Sequence, residues 1–251
     1  MNVVRAVVIV AGLILIWQIV IWATAMPPFM LPTPWRVAET MVERWDTLAF
    51  HAGHTILEII LGLLLGALLG CATALTMSFY RPARRWLLPI MVTSQAIPVF
   101  ALAPILVLWF GYGLWSKVAM ATLIIYFPVT AAFYDGLRRT EPGWLDLART
   151  MNAPRAAILR RIRIPAALPA LASGLRVAAA IAPIGAIVGE WVGASAGLGY
   201  VMMHAKGRSQ EPLMFAALVV LAIVGIALYF SLDALLRRML PWQPDTQPSD
   251  D

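Results

Sequence analysis

The sequence predicts an all-α membrane protein with about six transmembrane helices. Of its 251 residues, 61% are hydrophobic and 13% are charged, whereas soluble domains average about half apolar and a quarter charged. Six apolar runs approach the ~20 residues that a helix needs to cross ~30 Å of hydrocarbon. The runs lack the alternation over ~10 residues that marks a membrane β-strand. Because backbone amides in lipid must be paired within the segment, such runs form helices.

The six predicted spans cover about residues 4–25, 54–78, 87–110, 116–135, 171–193 and 213–236. The first span has two features of a secretory signal, namely Arg5 before the apolar run and the stretch Ala23-Thr24-Ala25. Its apolar run is longer than the usual signal core of about 7–15 residues. We therefore expect a retained anchor rather than a cleaved signal.

The positions of Lys and Arg predict that both termini are cytoplasmic, because basic residues accumulate on that side of a membrane. This topology leaves five of the nineteen bases outside, namely Arg36, Arg44, Lys117, Lys206 and Arg208. The other fourteen fall inside: Arg5, Arg81, Arg84, Arg85, Arg138, Arg139, Arg149, Arg155, Arg160, Arg161, Arg163, Arg176, Arg237 and Arg238. Since these bases flank apolar spans, we interpret the pI near 10.0 as a topology signal and expect no nucleic-acid partner.

A single transmembrane domain is predicted over residues 1–240. The tail 241–251, PWQPDTQPSDD, is polar, proline-rich and acidic, which predicts disorder. After the prolines that end the first span, an amphipathic helix is predicted from Trp35 to about Leu48 on the outer membrane surface. The lone cysteine, Cys71, excludes an intramolecular disulfide and is interpreted as a packing residue.

The most informative stretch is LDLARTMNAPRAAILRRIRIPAALPALASGLR, residues 145–176, within a predicted cytoplasmic loop over about 136–170. Thr140 is predicted to cap a first helix, which places Leu145 and Ala148 on one face. Asn152 tolerates the left-handed conformation, and Pro154 can open a new helix but not continue the old one. The sequence therefore predicts a helix, a break and a second helix.

In the second helix Ile158 and Ile162 share one side and arginines cover the rest, so this helix is expected to lie along the membrane surface. Pro165 and Pro169 are then expected to redirect the chain into the fifth span. One interpretation is an ordinary basic loop held against anionic lipid. The other interpretation is that the helix–break–helix unit protrudes, docks on another protein and transmits movement to the attached spans.

At these residues the chain resembles the permease subunits of binding-protein-dependent ABC importers. Their cytoplasmic loop reads roughly E-A-A-x-x-x-G, then about nine residues, then an apolar-x-x-L-P ending. Here Asp replaces the Glu, Leu replaces the first Ala, and Asn replaces the Gly. The resemblance implies that one set of residues couples this chain to an ATPase: Asp146, Ala148, Asn152, Ala153, Ile164 and Pro165.

Two further stretches extend the resemblance, QAIPVFALAPILVLWFGYGLWSK at 95–117 and GEWVGASAGLGYVM at 189–202. They are similar to importers of sulfonates, taurine, nitrate and thiamine-precursor pyrimidines. Within that subgroup, the stretches QAIPVFALAP, FYDGLRRTEPGWLDLARTM and APIGAIVGEWVG are most similar to hydroxymethylpyrimidine permeases. The resemblance implies a type I importer permease in a bacterial inner membrane, with a second permease copy, two ATPases, and a periplasmic or lipid-anchored binding protein. It implies neither a cofactor nor an enzyme, and the chain has no G-x-x-x-x-G-K-[ST] phosphate loop of its own.

Ionisable and polar groups at membrane depth are functional candidates because their insertion costs free energy. Glu190, with Trp191 beside it, either faces substrate or structures the glycine-rich turn that follows. Gln95 and Pro98 either line the pathway or serve packing only.

Other polar and aromatic residues near the spans are interpreted as structural. Glu58 is predicted to pair with His54, and Asp233 with Arg237 and Arg238. The aromatic residues of the third-to-fourth-span turn are predicted to form an interfacial belt: Trp109, Phe110, Tyr112 and Trp115.

Two other classes of protein remain as alternatives. A secondary transporter often has about ten or more spans, with inverted repeats and buried coupling residues, and six spans without an evident repeat fit it less well. An intramembrane enzyme would need a catalytic cluster. However, His51, His54 and His204 form no H-x-x-x-H metal pair, and no metal site is expected.

Overall fold

The structure is a computed structural model that describes residues 3–242, and these residues form eleven α-helices and one π-helical turn. The chain begins with α1 Val3–Thr24, α2 Pro34–Glu43, α3 Trp45–Phe79, α4 Arg81–Ser94, α5 Val99–Phe110 and α6 Leu114–Arg138. It continues with α7 Pro142–Thr150, α8 Arg155–Ile158, the π-helical turn Leu159–Arg163, α9 Ile164–Gly193, α10 Leu198–Gly207 and α11 Glu211–Met239. The predicted tail 241–251 lies outside the described residues from position 243 onward.

Five helical segments are long and apolar enough to cross a membrane, and the pair α4 and α5 supplies a sixth span if it is counted as one. The prediction of about six spans is thus confirmed. A continuous third span over 87–110 is wrong, because α4 and α5 are bent by 104° at residues 95–98. Pro98 has no N–H for a helical hydrogen bond and disfavours helical geometry at the preceding residue, and both effects favour a break at this position.

The core of the bundle is the contact of α6 with α9 and α3. A seam of small residues joins α6 to α9: Gly189 lies against Lys117, Gly185 against Ala121, Gly174 against Ala132 and Gly136 against Ala170. From residue 117 to residue 136 this seam extends about 29 Å at 1.5 Å per residue, close to the hydrocarbon thickness. Small side chains let membrane helices approach closely and gain dispersion energy.

The two ends of the bundle have separate apolar clusters. At one end Leu48 and Ala52 of α3 pack with Leu198 of α10 and Ala217 of α11, and we call this the α10 end. At the other end Met77, Met91, Phe133 and Ala167 pack together beside the segment between α6 and α9. That segment, residues 142–163, is called the elbow, and its end of the bundle the elbow end.

The predicted amphipathic helix from Trp35 to Leu48 is also wrong as a single unit, because the chain turns at Arg44 between α2 and α3. The physical reason is that the two helices have different packing partners, since α2 packs on α11 whereas α3 packs on α6. Thr33 caps α2 by accepting a hydrogen bond from the Arg36 N–H (3.3 Å). Val37 of α2 is buried, whereas Trp45 is exposed.

Candidate functional site

The first helix of the elbow ends in a complete Schellman motif. Asn152 has φ +53°, so the predicted left-handed residue lies where the sequence placed it. Its N–H donates to the Arg149 carbonyl (2.9 Å), and the Ala153 N–H donates to the Ala148 carbonyl (3.0 Å). The end of α7 is therefore fixed by backbone hydrogen bonds, and the direction of α8 relative to α7 is defined.

The beginning of α7 differs from the prediction. Glu141, not Thr140, occupies the N-cap position, and no side chain caps this helix. The Thr140 hydroxyl instead donates to the Leu137 carbonyl (3.2 Å). Thr140 is buried, and it satisfies a carbonyl at the end of α6. This contact is local to the end of α6, and three residues separate that helix from the elbow, which begins at Pro142.

The expected redirection at Pro165 and Pro169 is wrong. Residues Arg155–Gly193 run as one continuous helical segment, with the π-helical turn between α8 and α9. A proline inside a helix removes one hydrogen bond and crowds the carbonyl four residues earlier. The wider π-helical turn immediately before Pro165 accommodates that crowding without a break. The elbow therefore continues directly into α9.

The exposed face of α7 is apolar. Trp144, Leu147 and Met151 are 52%, 63% and 75% exposed, and Ala148 beside them on the same face is buried. With Trp242 and the start of α9, these side chains line an open groove of about 550 Å³.

The coupling residues implied by the resemblance take different positions around this groove. Pro165 lines the groove, and Ile164 packs into the apolar cluster at the elbow end. Asp146 is exposed and paired with Arg149 (2.7 Å). What the elbow presents to its surroundings is thus an apolar surface with ionic groups beside it.

At the α10 end, Glu190 is 2% exposed and organises the turn between α9 and α10. One carboxylate oxygen accepts a hydrogen bond from the Thr55 hydroxyl (2.6 Å), and the other accepts one from the Gly199 N–H. The Thr55 oxygen in turn accepts the Leu198 N–H (2.8 Å). Glu190 of α9 thereby accepts hydrogen bonds from α3 and from the start of α10, and so links the three helices.

The glycines of this turn are required by the Glu190 carboxylate. Gly197 has φ +115°, and a Cβ at this position would collide with the carboxylate. The Gly197 N–H donates to His51 Nδ1 (3.0 Å). These contacts favour the structural interpretation of Glu190. Trp191 points elsewhere and is 48% exposed.

Two buried ionisable residues near Glu190 were not recognised as a cluster from the sequence. Glu58 and Lys117 are 3% and 4% exposed, and both lie within electrostatic reach of Glu190. The Lys117 ammonium donates to the carbonyls of Tyr112 (2.7 Å) and Gly113 (2.8 Å). The predicted Glu58–His54 pair is wrong, since no ion pair between described residues joins them and Glu58 lies among the buried charges instead.

Residues Gln95 and Pro98 lie at the bend between α4 and α5, and both are exposed. Among the hydrogen bonds and ion pairs of the described residues, none joins them to Glu190 or Trp191. The four pathway candidates therefore fall into two places, the exposed bend and the buried α10 end. The predicted aromatic belt is exposed at the α5–α6 turn, with Trp109 at 71% and Tyr112 at 72%.

Asp233 forms the predicted helix-end pair with Arg237 (3.0 Å), but its shorter contact is with Arg176 of α9 (2.6 Å). No ion pair between described residues includes Arg238, so that part of the prediction is wrong. The Asp233 and Arg176 side chains are 16% and 23% exposed. This pair attaches the last turns of α11 to α9 at the elbow end.

A bundle of this kind, with a capped elbow between two tightly packed spans, defines a helical membrane permease component. The chain belongs to the family of binding-protein-dependent transport system inner membrane components, whose profile matches residues 59–242. It is therefore a multi-pass inner-membrane protein and a transport component.

A probable ABC transporter permease protein of Haemophilus influenzae is 54% identical over 94% of this chain and 96% of its own length. The formylaminopyrimidine transport permease protein ThiX of Halalkalibacterium halodurans is 38% identical over 92% of each chain. A chain of an amino acid ABC transporter superposes with a TM-score of 0.62 at 18% identity, covering 81% of this chain and 97% of that one. The predicted family and the type I importer permease fold are thus confirmed.

Proposed function

We propose that this chain forms the translocation pathway of an ATP-driven importer and that the elbow is where a separate ATPase subunit docks. The observation that supports this proposal is the apolar face of Trp144, Leu147 and Met151, exposed at the end of a fixed helix. Burying a large apolar side chain contributes about 1.5–3 kcal/mol. An apolar surface of this kind, beside ionic groups, is typical of a protein interface.

The elbow is connected so that a force on it reaches the core of the bundle. Its start follows the end of α6 after only three residues, and its end continues without a break into α9. Because α6 and α9 are the most closely packed spans, movement of the elbow is transmitted to both. ATP binding to the docked subunits then favours one of two arrangements of the spans.

The complete importer in this proposal has two copies of this chain, two ATPases and a binding protein. Both termini and the elbow end face the cytoplasm, and the α10 end faces the binding protein. The charge distribution of the sequence supports this orientation. The α4–α5 bend, with the exposed residues Gln95 and Pro98, lines the pathway between the two copies.

The proposed cargo is a pyrimidine precursor of thiamine, similar to hydroxymethylpyrimidine. The similarity to the formylaminopyrimidine permease and the stretch QAIPVFALAP support this choice. Sulfonate, taurine or nitrate is the alternative within the same family. Uptake into membrane vesicles distinguishes these cargoes: only the pyrimidine should be accumulated, with its binding protein present, and only with ATP. Accumulation driven by an ion gradient without ATP would instead indicate a secondary transporter.

ATPase docking is tested by co-purification of the ATPase with the tagged chain. Replacing Asp146 with Asn, or deleting residues 152–154, should lower recovery of the ATPase while the chain still inserts into the membrane. Asp46→Asn is the matched control, because Asp46 is exposed at the other end of the bundle. Normal ATPase recovery with both elbow variants would contradict the docking assignment.

A further inference from the structure

A second cavity at the elbow end, distinct from the apolar groove, is lined by four arginines. It lies between the α3–α4 turn and the elbow and has a volume of about 340 Å³. Arg81 comes from the start of α4, Arg149 from α7, Arg155 from α8 and Arg163 from the π-helical turn. Three separate parts of the fold therefore bring guanidinium groups to one cavity.

The charges around this cavity are poorly compensated by the protein. Among the described residues, no carboxylate lines the cavity, and none forms an ion pair with Arg81, Arg155 or Arg163. The Arg163 Nε is buried and has no hydrogen-bond partner among the described residues. Arg149 alone has an acidic neighbour, the exposed Asp146. Arginine remains protonated at all physiological pH values, so four positive charges face one space.

We propose that this cavity binds a phosphate group. Guanidinium groups donate hydrogen bonds in a planar fork that matches phosphate oxygens, and an anion with several acceptor oxygens can satisfy donors from all three sides. Ser78 supplies a hydroxyl to the same cavity.

Two sources of the phosphate share this chemistry, a phospholipid headgroup and free inorganic phosphate. The apolar residues Phe79, Leu145, Ile158 and Leu159 also line the cavity, so it has a surface for the organic part of a phosphodiester. Phe79 and Tyr80 beside it are exposed, as expected where a span ends at headgroup level. Basic pockets between membrane helices bind anionic headgroups in this way.

The test compares two double variants for the amount of bound phospholipid and for their affinity for phosphate. The cavity variant is Arg81→Gln with Arg163→Gln. The control is Arg84→Gln with Arg85→Gln, which removes the same charge from α4 outside the cavity. The full chain is purified in detergent, co-purified phospholipid is counted by native mass spectrometry, and inorganic phosphate is titrated by thermal shift. Elution as a single peak shows that each variant is folded, and Arg81→Gln alone serves if the double variant fails this check.

In the wild type and the control we expect one of two results. Either phospholipid stays bound through purification, or the melting temperature rises with phosphate concentration and reaches a plateau. In the cavity variant we expect at least tenfold weaker binding, equivalent to about 1.4 kcal/mol. Phospholipid retained by the control and lost from the cavity variant identifies a lipid headgroup site. A phosphate-induced shift without retained lipid identifies a site for the free anion. Equal binding in the two variants, or no binding in the wild type, would overturn the proposal.

Discussion

Replacing Gly185 with Ala should destabilise the protein by separating α9 from α6. A Cβ at Gly185 would lie 2.7 Å from the Ala121 Cα, whereas carbon atoms in contact are about 3.5–4.0 Å apart. The neighbour is a backbone atom and cannot rotate away, so the two helices must move apart by about 1 Å. Overpacking of this kind costs about 1–3 kcal/mol.

A matched control removes the effect of helix propensity. Gly53 is also inside a helix, but a Cβ there meets no atom within 4 Å. Both substitutions gain about 0.5–1 kcal/mol because alanine is the better helix former. The difference in unfolding free energy between the two variants therefore isolates the cost of close approach.

Thermal unfolding of the detergent-purified protein measures this difference. Since 1 kcal/mol corresponds to about 2–4 °C for a domain of this size, Gly185→Ala should unfold about 2–12 °C below Gly53→Ala. A substitution at Gly62 adds a second comparison, because its Cβ would meet the methyl group of Ala121 from the α3 side. Adding Ala121→Gly should rescue Gly62→Ala but not Gly185→Ala. Equal melting temperatures for the Gly185 and Gly53 variants would refute the reasoning.

Three further predictions concern the other contacts described. Glu190→Ala leaves the buried Gly199 N–H without its acceptor and the Thr55 hydroxyl with only its longer contact to the His51 carbonyl (3.3 Å), so thermal unfolding should show a loss of about 2–4 kcal/mol; a loss below about 1 kcal/mol would argue against its role in the turn. Asp233→Asn should lower the free energy of unfolding by about 1–2 kcal/mol in the same assay, because it breaks the partly buried pair with Arg176. Asp135→Asn is the control: its partner Arg138 is exposed at 3.9 Å, and the loss should be below about 0.5 kcal/mol. Asn152→Val should cost about 1–2 kcal/mol because a β-branched residue is strained at positive φ, while Asn152→Gly should be neutral, and equal effects of the two would contradict the Schellman motif.

The elbow could be predicted from the sequence because its signals are local. An asparagine two residues before a proline, between two amphipathic stretches, defines a helix end and a new start within four residues. The length of the apolar runs likewise fixed the number of spans. Both predictions depend on the conformation of neighbouring residues, which the chain determines without reference to the rest of the fold.

Prolines show where local signals are insufficient. Pro98 separates two helices bent by 104°, while Pro128 and Pro183 lie inside continuous helices. The ring has the same effect on the hydrogen-bond ladder at each of these positions. Pro89 and Pro104 also lie inside helices, in α4 and α5 themselves, so a proline alone does not decide where a helix ends.

The cluster of Glu58, Lys117 and Glu190 could not be predicted for a related reason. The three residues are far apart in the chain and belong to α3, α6 and α9, so their meeting depends on helix register. The charge count assigned Lys117 to the outer side of the membrane but gave no indication that its side chain is buried. Its ammonium donates to the carbonyls of Tyr112 and Gly113 in the turn before α6, an arrangement that no spacing rule identifies.

The positions of these contacts separate the bundle into a firmly packed part and a loosely packed part. Glycine contacts join α9 to α6, and Ala121 contacts both Gly62 of α3 and Gly185 of α9. The Glu190 contacts fix α3 and α9 at the α10 end. Such close contacts resist sliding because any displacement separates backbones that are already at minimum distance. A force applied at the elbow therefore moves α3, α6 and α9 as one unit. The bend between α4 and α5 lies outside these contacts, and its residues are exposed.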